Sequence, residues 1–204
     1  MRIARRESMK NLFFETIRIE NGIAHNLSEH NRRLNRTRAE VFGAHDPIDL
    51  GKHLMAPVSK KILRCRVVYG RTIEQIEYLP YSPRPLTRFA IVHSAMTYPY
   101  KALDRSELNA LFARRGAADE IIIVSEEGFV RDTSIANIAL EIEGRWLTPA
   151  RPLLLGTQRA RLLAEGAIEP ADLHVSDLKQ AARMAVMNAM VGFRIVEGAQ
   201  FIEG

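Results

Sequence analysis

The sequence predicts an α+β protein, and three observations carry the prediction. Strand-like and helix-like segments follow one another without regular βαβ alternation. Two glycine-containing pairs, Asn21-Gly22 and Glu143-Gly144, each separate two strand-like runs, as in antiparallel hairpins. The 204 residues are 47% apolar and 26% charged, enough apolar material to bury a core.

Leu12 to Ile19 is rich in Phe, Ile and Thr and reads as the first strand. Asn21-Gly22 turns it into a second run, Ile23 to Leu27. Ser28 is placed to cap a helix in which Leu27, Leu34 and Val41 recur at helical spacing and which Gly43 stops. Asp46-Pro47 predicts a short helix with proline in its first turn. Lys61 to Tyr69 and Arg71 to Leu79 form two strands about Gly70, and alternation puts Arg64 and Arg66 on one face. Leu79 to Pro85 holds three prolines in seven residues, which no central strand or helix accommodates. The domain reading is therefore 1–79, a proline-rich linker 80–86, and 87–204.

Beyond the linker, Arg88 to His93 reads as a strand. Asp104-Arg105-Ser106-Glu107 resembles a capping box and opens a helix striped by Leu108, Leu111 and Phe112, with Gly116 at its end. Glu120 to Ser125 is a buried-type strand that Gly128 turns into Phe129-Val130-Arg131. Asn137 to Glu141 and Arg145 to Thr148 make a hairpin, and Gly156 precedes a helix closed by Gly166. Arg183 to Met187 and Phe193 to Val196 are the late strands.

Several functional classes are excluded. No apolar run approaches the roughly 18–20 residues of a membrane helix. The start, Met1 to Arg6, is charged with no apolar stretch behind it, so no secretory leader is expected. The single cysteine, Cys65, excludes an internal disulfide framework and a cysteine-rich zinc site, and the six histidines are scattered. These features together read as a cytoplasmic protein. There is no G-x-S-x-G, no phosphate-binding Walker loop and no dinucleotide fingerprint. Twenty-nine basic against 24 acidic residues give +5, which favours an anionic small ligand. The densest basic run, Arg32, Arg33, Arg36 and Arg38, is interleaved with Glu29 and Glu40 and reads as a solvated helix face rather than a nucleic-acid surface.

Six segments in order then carry a more specific signal. They are Phe14-Glu15-Thr16-Ile17-Arg18 with Asn21-Gly22; His30-Asn31-Arg32-Arg33-Leu34; Tyr100-Lys101-Ala102-Leu103-Asp104-Arg105; Gly128 through Asn137; Leu147-Thr148-Pro149 with Leu155-Gly156-Thr157-Gln158-Arg159; and Asn188-Ala189. In this arrangement the chain resembles the class IV aminotransferases. That family includes branched-chain and D-amino-acid aminotransferases and aminodeoxychorismate lyases. The resemblance implies a fold type IV enzyme, D-amino-acid-aminotransferase-like, with two small mixed α/β domains and pyridoxal 5'-phosphate between them. It also implies a homodimer.

The resemblance assigns roles residue by residue. Lys101 matches the family's Schiff-base lysine, an amine that adds to the cofactor aldehyde and then moves a proton at the substrate α-carbon. Asp132 matches the carboxylate facing the pyridine nitrogen, where it keeps the ring protonated. The usual residue there is Glu, so this chain departs from the pattern by one methylene. Arg33 matches the phosphate-binding arginine of the H-x-x-R-L pattern, a guanidinium fork suited to a dianion. Gly156, Thr157 and Gln158 would present N–H groups to the phosphate at a helix N-terminus. Asn188 and Ala189 match the last phosphate loop, and Asn137 the asparagine near the cofactor. Arg64 matches an arginine on the floor of the site, able to meet a substrate carboxylate, with Arg66 on the same face as the alternative. No metal is implied. A second departure is Lys10-Asn11-Leu12-Phe13, where relatives carry a Tyr-Gly pair after an extra strand. The implied reaction is transamination of an amino acid to a keto acid. The alternative is a 4-amino-4-deoxychorismate lyase releasing pyruvate and 4-aminobenzoate. A relative that binds the cofactor without turnover, and a basic binding module, are the remoter readings.

Overall fold

The computed structural model describes residues 11–203, so the basic start and Lys10 of the motif comparison lie outside the described residues. Two compact units form: residues 11–83 with Tyr100–Asp104, and Arg84–Pro99 with 105–203. The described residues hold thirteen strands, four α-helices and one 3-10 turn. None of these helices is long and apolar enough to cross a membrane.

The first unit is an antiparallel sheet ordered β2-β1-β3-β4, with β1 Phe13–Glu20, β2 Ile23–Ala24, β3 Leu63–Tyr69 and β4 Ile73–Pro80. Its first turn adopts φ 51° at Asn21 and φ 79° at Gly22, the paired left-handed conformation for which Asn-Gly is suited. Alternation along β1 turns Ile17 and Ile19 inward against Leu34, Leu50, Cys65 and Val67. Leu34 comes from α1, Leu27–Phe42. Pro80 ends β4, the sheet's edge, where a missing N–H costs no ladder bond.

Three local expectations are corrected here. The second strand is only two residues long, because Asn26 takes a left-handed conformation and starts α1 at Leu27; Ser28 lies inside the first turn and is not the cap. No helix follows Asp46-Pro47; a 3-10 turn forms at Leu50–Lys52, where the Asp49 carboxylate accepts from the Gly51 N–H. Arg38, read as solvated, is buried: it donates to Arg71 O at 2.8 Å, to Asp46 O and to the Asp46 carboxylate. The basic run is thus not one continuous surface. Arg32 stays exposed, paired with Glu29, and Arg36 lies beside Glu40.

The proline-rich boundary would group Lys101 with the C-terminal part of the chain. The backbone instead brings Tyr100–Asp104 back to the first unit. The Phe14 N–H donates to Lys101 O at 3.0 Å and the Leu103 N–H donates to Leu12 O at 2.8 Å. The Phe13 and Tyr100 rings meet edge-on at 5.9 Å. These contacts couple sequence segments that are remote from each other, which no local pattern announces.

The second unit holds two sheets. One is ordered β13-β5-β6-β7, with β5 Arg88–His93, β6 Glu120–Val124, β7 Val130–Thr133 and β13 Gln200–Glu203. The β5–β6 and β5–β13 pairs are parallel. Ile121, Ile122, Ile123 and Val124 are all fully buried, Ile122 and Val124 in one core and Ile121 and Ile123 in another. That two-sided burial explains the unbroken apolar run, at about 1.5–3 kcal/mol for each such side chain. The other sheet is ordered β10-β9-β8-β11-β12, with β8 Asn137–Ile142, β9 Arg145–Pro149, β10 Glu169–Ala171, β11 Arg183–Asn188 and β12 Gly192–Val196. The helices are α2 Ser106–Ala113, α3 Thr157–Ala164 and α4 Asp177–Gln180. Arg105, not Asp104, occupies the cap position of α2, without a side-chain cap bond.

Candidate active site

In the first unit, the amine of Lys101 lies 4.6 Å from the centre of the Phe14 ring, and the Arg66 guanidinium lies 5.2 Å from the same ring. Arg66 also pairs with Glu77 at 3.3 Å. Arg64 shares that sheet face, and its Nε is buried with no hydrogen-bond partner among the described residues.

Arg33 projects from α1 onto the other face of β1. Its Nε donates to Glu15 at 2.9 Å and its Nη2 donates to the second carboxylate oxygen at 2.5 Å. The His30 Nδ1–H donates to that second oxygen at 2.7 Å. Glu15 and His30 are fully buried. Burial alone would push the Glu15 carboxyl up, but the Arg33 charge and the bonds from His30 and Arg33 overcome this and hold it at about 2. Burial lowers the His30 pKa, against the pull of Glu15. A charge-assisted fork of this kind fixes the plane of the guanidinium. Sequence reasoning named Arg33 but missed Glu15 and His30. The signal was present: alternation puts Glu15 between Phe13 and Ile17 on the core face, and His30 lies three residues from Arg33 on the same side of a helix.

In the second unit, Asp132 sits on β7, buried. Its oxygens accept from Asn137 Nδ2 at 2.6 Å and from the Leu154 N–H at 2.9 Å. Among the described residues no guanidinium or ammonium is hydrogen-bonded to it, and the charge of the buried Arg159 only partly offsets the burial. Burial therefore dominates, and the carboxyl is pushed up to about 7. Thr133, not Asp132, performs the local turn: its Oγ1 accepts from the Ala136 N–H at 2.8 Å. The buried carboxylate of Glu120 accepts from the Ser134 N–H, and Arg105 donates to Ser134 O, so this loop is held at Ser134.

Asn137 serves Asp132 and also donates to Leu154 O at 2.9 Å. A methyl at Gly156 would stand 2.0 Å from Asn137 Oδ1, which is why glycine is required directly before α3. Thr157, Gln158 and Arg159 form the buried first turn of α3. The N–H groups of a first turn have no intrahelical acceptor. The Gln158 side-chain amide is buried there with its Nε2 unpartnered among the described residues. Asn188 ends β11 with its side chain engaged. Its Oδ1 accepts from the Met190 and Val191 N–H groups, and its Nδ2 donates to Ile135 O at 3.2 Å. Ala189 follows it in that turn, half-buried. Among the described residues no cluster of metal-binding side chains occurs.

These features fit a phosphorylated pyridine cofactor. A buried acid near pH 7 with no hydrogen-bonded cation among the described residues is the partner that a protonated ring nitrogen requires, and the orphaned Gln158 amide at a helix N-terminus suits an anion.

The architecture is that of fold type IV transaminases. The class IV aminotransferase family profile matches residues 12–198, and the chain belongs to that family. It is 38% identical over 184 residues to an uncharacterized protein of Haemophilus influenzae, covering 88% of this chain and 97% of that one. Among solved structures it is similar to a protein of Haemophilus somnus provisionally described as a 4-amino-4-deoxychorismate lyase. That match has TM-score 0.83 and 32% identity, covering 90% of this chain and 98% of the other. The PLP-bound form of a hypothetical aminotransferase from Mycobacterium tuberculosis shares the fold, with TM-score 0.78 and 18% identity, covering 97% and 85% respectively.

Proposed function

We propose that this chain is a pyridoxal-phosphate enzyme that transfers the amino group of an amino acid to a keto acid, with Lys101 as its working amine. The observation that carries the reading is Asp132, a buried carboxylate hydrogen-bonded by an amide and a backbone N–H rather than by a basic side chain. Such a group is costly to ionise unless a bound cation joins it.

When bound, the cofactor supplies an aldehyde and an electron-withdrawing ring. The protein's residues do the rest. Lys101 Nζ accepts the proton from the substrate α-carbon and returns it at an adjacent position. Asp132 stays ionised against the ring nitrogen, and Asn137 keeps its oxygens oriented. In the first unit Arg33, set by Glu15, would offer its guanidinium to the phosphate; in the second unit the first-turn N–H groups of Thr157 and Gln158 and the Gln158 amide would offer donors suited to the same group. Arg64 or Arg66 meets a substrate carboxylate. The turn at Asn188 and Ala189 supports Ile135 in the loop between Asp132 and Asn137.

Borohydride treatment of protein loaded with pyridoxal phosphate should fix the cofactor to Lys101, read by peptide mass spectrometry. Lys101→Ala should lose both the fixed adduct and turnover. Full activity in that variant would overturn the reading.

A second reading, the lyase, is favoured by the 32% identity to the Haemophilus somnus protein over nearly both whole chains. Aminodeoxychorismate supplied without a keto acid separates the two. Pyruvate release selects the lyase, and strict dependence on an added keto acid selects transfer.

A further inference from the structure

β2 pairs with β1 only at Ile19 and Glu20, which leaves the N-terminal part of that edge of β1 open. The segment around Lys101 fills it. Lys101 O accepts from the Phe14 N–H at 3.0 Å, the Leu103 N–H donates to Leu12 O at 2.8 Å, and Ala102 stands opposite Phe13 in an antiparallel bridge. The Ala102 N–H also donates to Tyr100 O at 2.8 Å, which closes a three-residue turn centred on Lys101. Lys101 has no positive φ, so the turn is the inverse, unstrained form. The backbone of the lysine is thus held from both sides.

The ring of Tyr100 fastens this turn to the sheet. It meets Phe13 edge-on, and Phe13 in turn meets Phe42 edge-on and Tyr69 at a tilt, each pair with 5.9 Å between ring centres. Ring pairs at this spacing attract, and the attraction depends on their orientation. Tyr100 and Ala102 both pack against this core. Alternation puts Phe14 on the opposite face of β1 from Phe13. The lysine between Tyr100 and Ala102 reaches that opposite face, where its amine lies 4.6 Å from the centre of the Phe14 ring. A lysine stem has much rotamer freedom of its own. Here its root is set by a turn whose first residue cannot swing without leaving the Phe13 ring.

We propose that Tyr100 is a positioning residue for the reacting amine: anchored on Phe13, it holds the turn that aims Lys101 across the Phe14 ring, so that a ring at position 100 sets how fast the amine reacts and not how tightly the cofactor is held. Misplacing a reacting group by 1 Å can cost about a hundredfold in rate, so a small loss of aim is measurable. The proposal rests on Lys101 as the reacting amine. The residues that build the mount lie wholly within the first unit.

The test compares the native protein with Tyr100→Ala, Tyr100→Phe and Phe193→Ala. The last removes a ring of the second unit that meets Trp146 at 4.8 Å, and so controls for the loss of an aromatic contact as such. Protein mixed with pyridoxal phosphate and quenched with borohydride at successive times reads how fast Lys101 is engaged. Pyridoxine 5'-phosphate, which carries an alcohol in place of the aldehyde, reads binding without that reaction. Hydrogen exchange at the Ala102 and Leu103 amides of cofactor-free protein reads the turn itself. Tyr100→Ala should slow fixation about tenfold or more, with pyridoxine phosphate affinity unchanged and faster exchange at both amides. Tyr100→Phe should restore all three readings to native values, and Phe193→Ala should leave them there. Native fixation rates in Tyr100→Ala, a Tyr100→Phe protein as slow as Tyr100→Ala, or pyridoxine phosphate affinity lost in step with fixation overturns the proposal. If borohydride fixes nothing at Lys101 in the native protein, the reading of Lys101 falls and takes the proposal with it. Native fixation at Lys101 with unchanged exchange in Tyr100→Ala sinks the mount alone.

Discussion

Glu15→Gln is the most informative perturbation of the first unit. The substitution keeps the side chain's size and removes its charge. What remains is the Arg33 guanidinium, 8% exposed, beside a neutral amide and His30. Two routes give the magnitude. Breaking a buried ion pair by neutralising one member costs about 3–5 kcal/mol. Independently, the fall of the Glu15 carboxyl from 4.5 to about 2 is worth about 3 kcal/mol at 1.36 kcal/mol per pH unit. The routes agree, and against a total stability of about 5–15 kcal/mol the loss is large. For a chain of this length it corresponds to a melting temperature lower by about 10 °C. The sign with pH follows from the depressed pKa. The stabilisation is fully present above about 4.5 and is lost as pH falls towards about 2. Thermal unfolding of both proteins at pH 7, with urea unfolding between pH 5 and pH 2.5, should show a gap of about 3 kcal/mol that narrows on acidification. A gap below about 1 kcal/mol at pH 7, or one that keeps its size at pH 2.5, would refute the argument that Glu15 is held ionised by Arg33 and His30.

The remaining predictions concern the second unit. Because burial raises the Asp132 carboxyl to about 7, it opposes folding increasingly from about pH 4 to pH 7 and by a constant amount above that. Asp132→Asn should therefore raise the melting temperature of cofactor-free protein more at pH 8 than at pH 4, while pyridoxal phosphate should stabilise the variant less than the native protein; differential scanning fluorimetry reads both, and an equal effect at the two pH values would count against the assignment. Gly156→Ala forces a methyl against Asn137 Oδ1 and should cost about 1–3 kcal/mol in urea unfolding, with a weakened Asn137–Asp132 bond visible as a larger Asp132-dependent step in the pH–stability curve, because that bond holds the carboxyl down.

Much of this molecule is legible where chemistry is local. Asn21-Gly22 and Glu143-Gly144 declare their hairpins because only certain residues tolerate paired positive φ. Gly43 and Gly166 end their helices for the same reason. The apolar run Ile121 to Val124 reads directly as a strand covered on both faces. What escapes is set by tertiary contact. β13, Gln200–Glu203, is a short edge strand with only half a buried face, and its partner β5 lies more than a hundred residues earlier. Arg38 looks like its neighbours Arg32 and Arg36 until the chain following α1 folds back and supplies Asp46 and the Arg71 carbonyl as acceptors.

The candidate site residues divide along the same line. Lys101, Arg33 and Asp132 stand out because the order of surrounding segments marks them. Their supporting partners are ordinary by type and special only by environment. Glu15 illustrates the distinction. A carboxylate on the core face of a strand is either an error of register or one half of a buried pair, and the flanking Phe13 and Ile17 rule out the first. The pair had to be sought on an element packing against that face, and α1 offers His30 and Arg33 one helical turn apart. Reading each buried charge as a demand for a named partner would have found this triad from the sequence. The same logic leaves Asp132 without a basic hydrogen-bond partner of its own, which is the strongest physical reason to look for a positively charged ring nitrogen beside it.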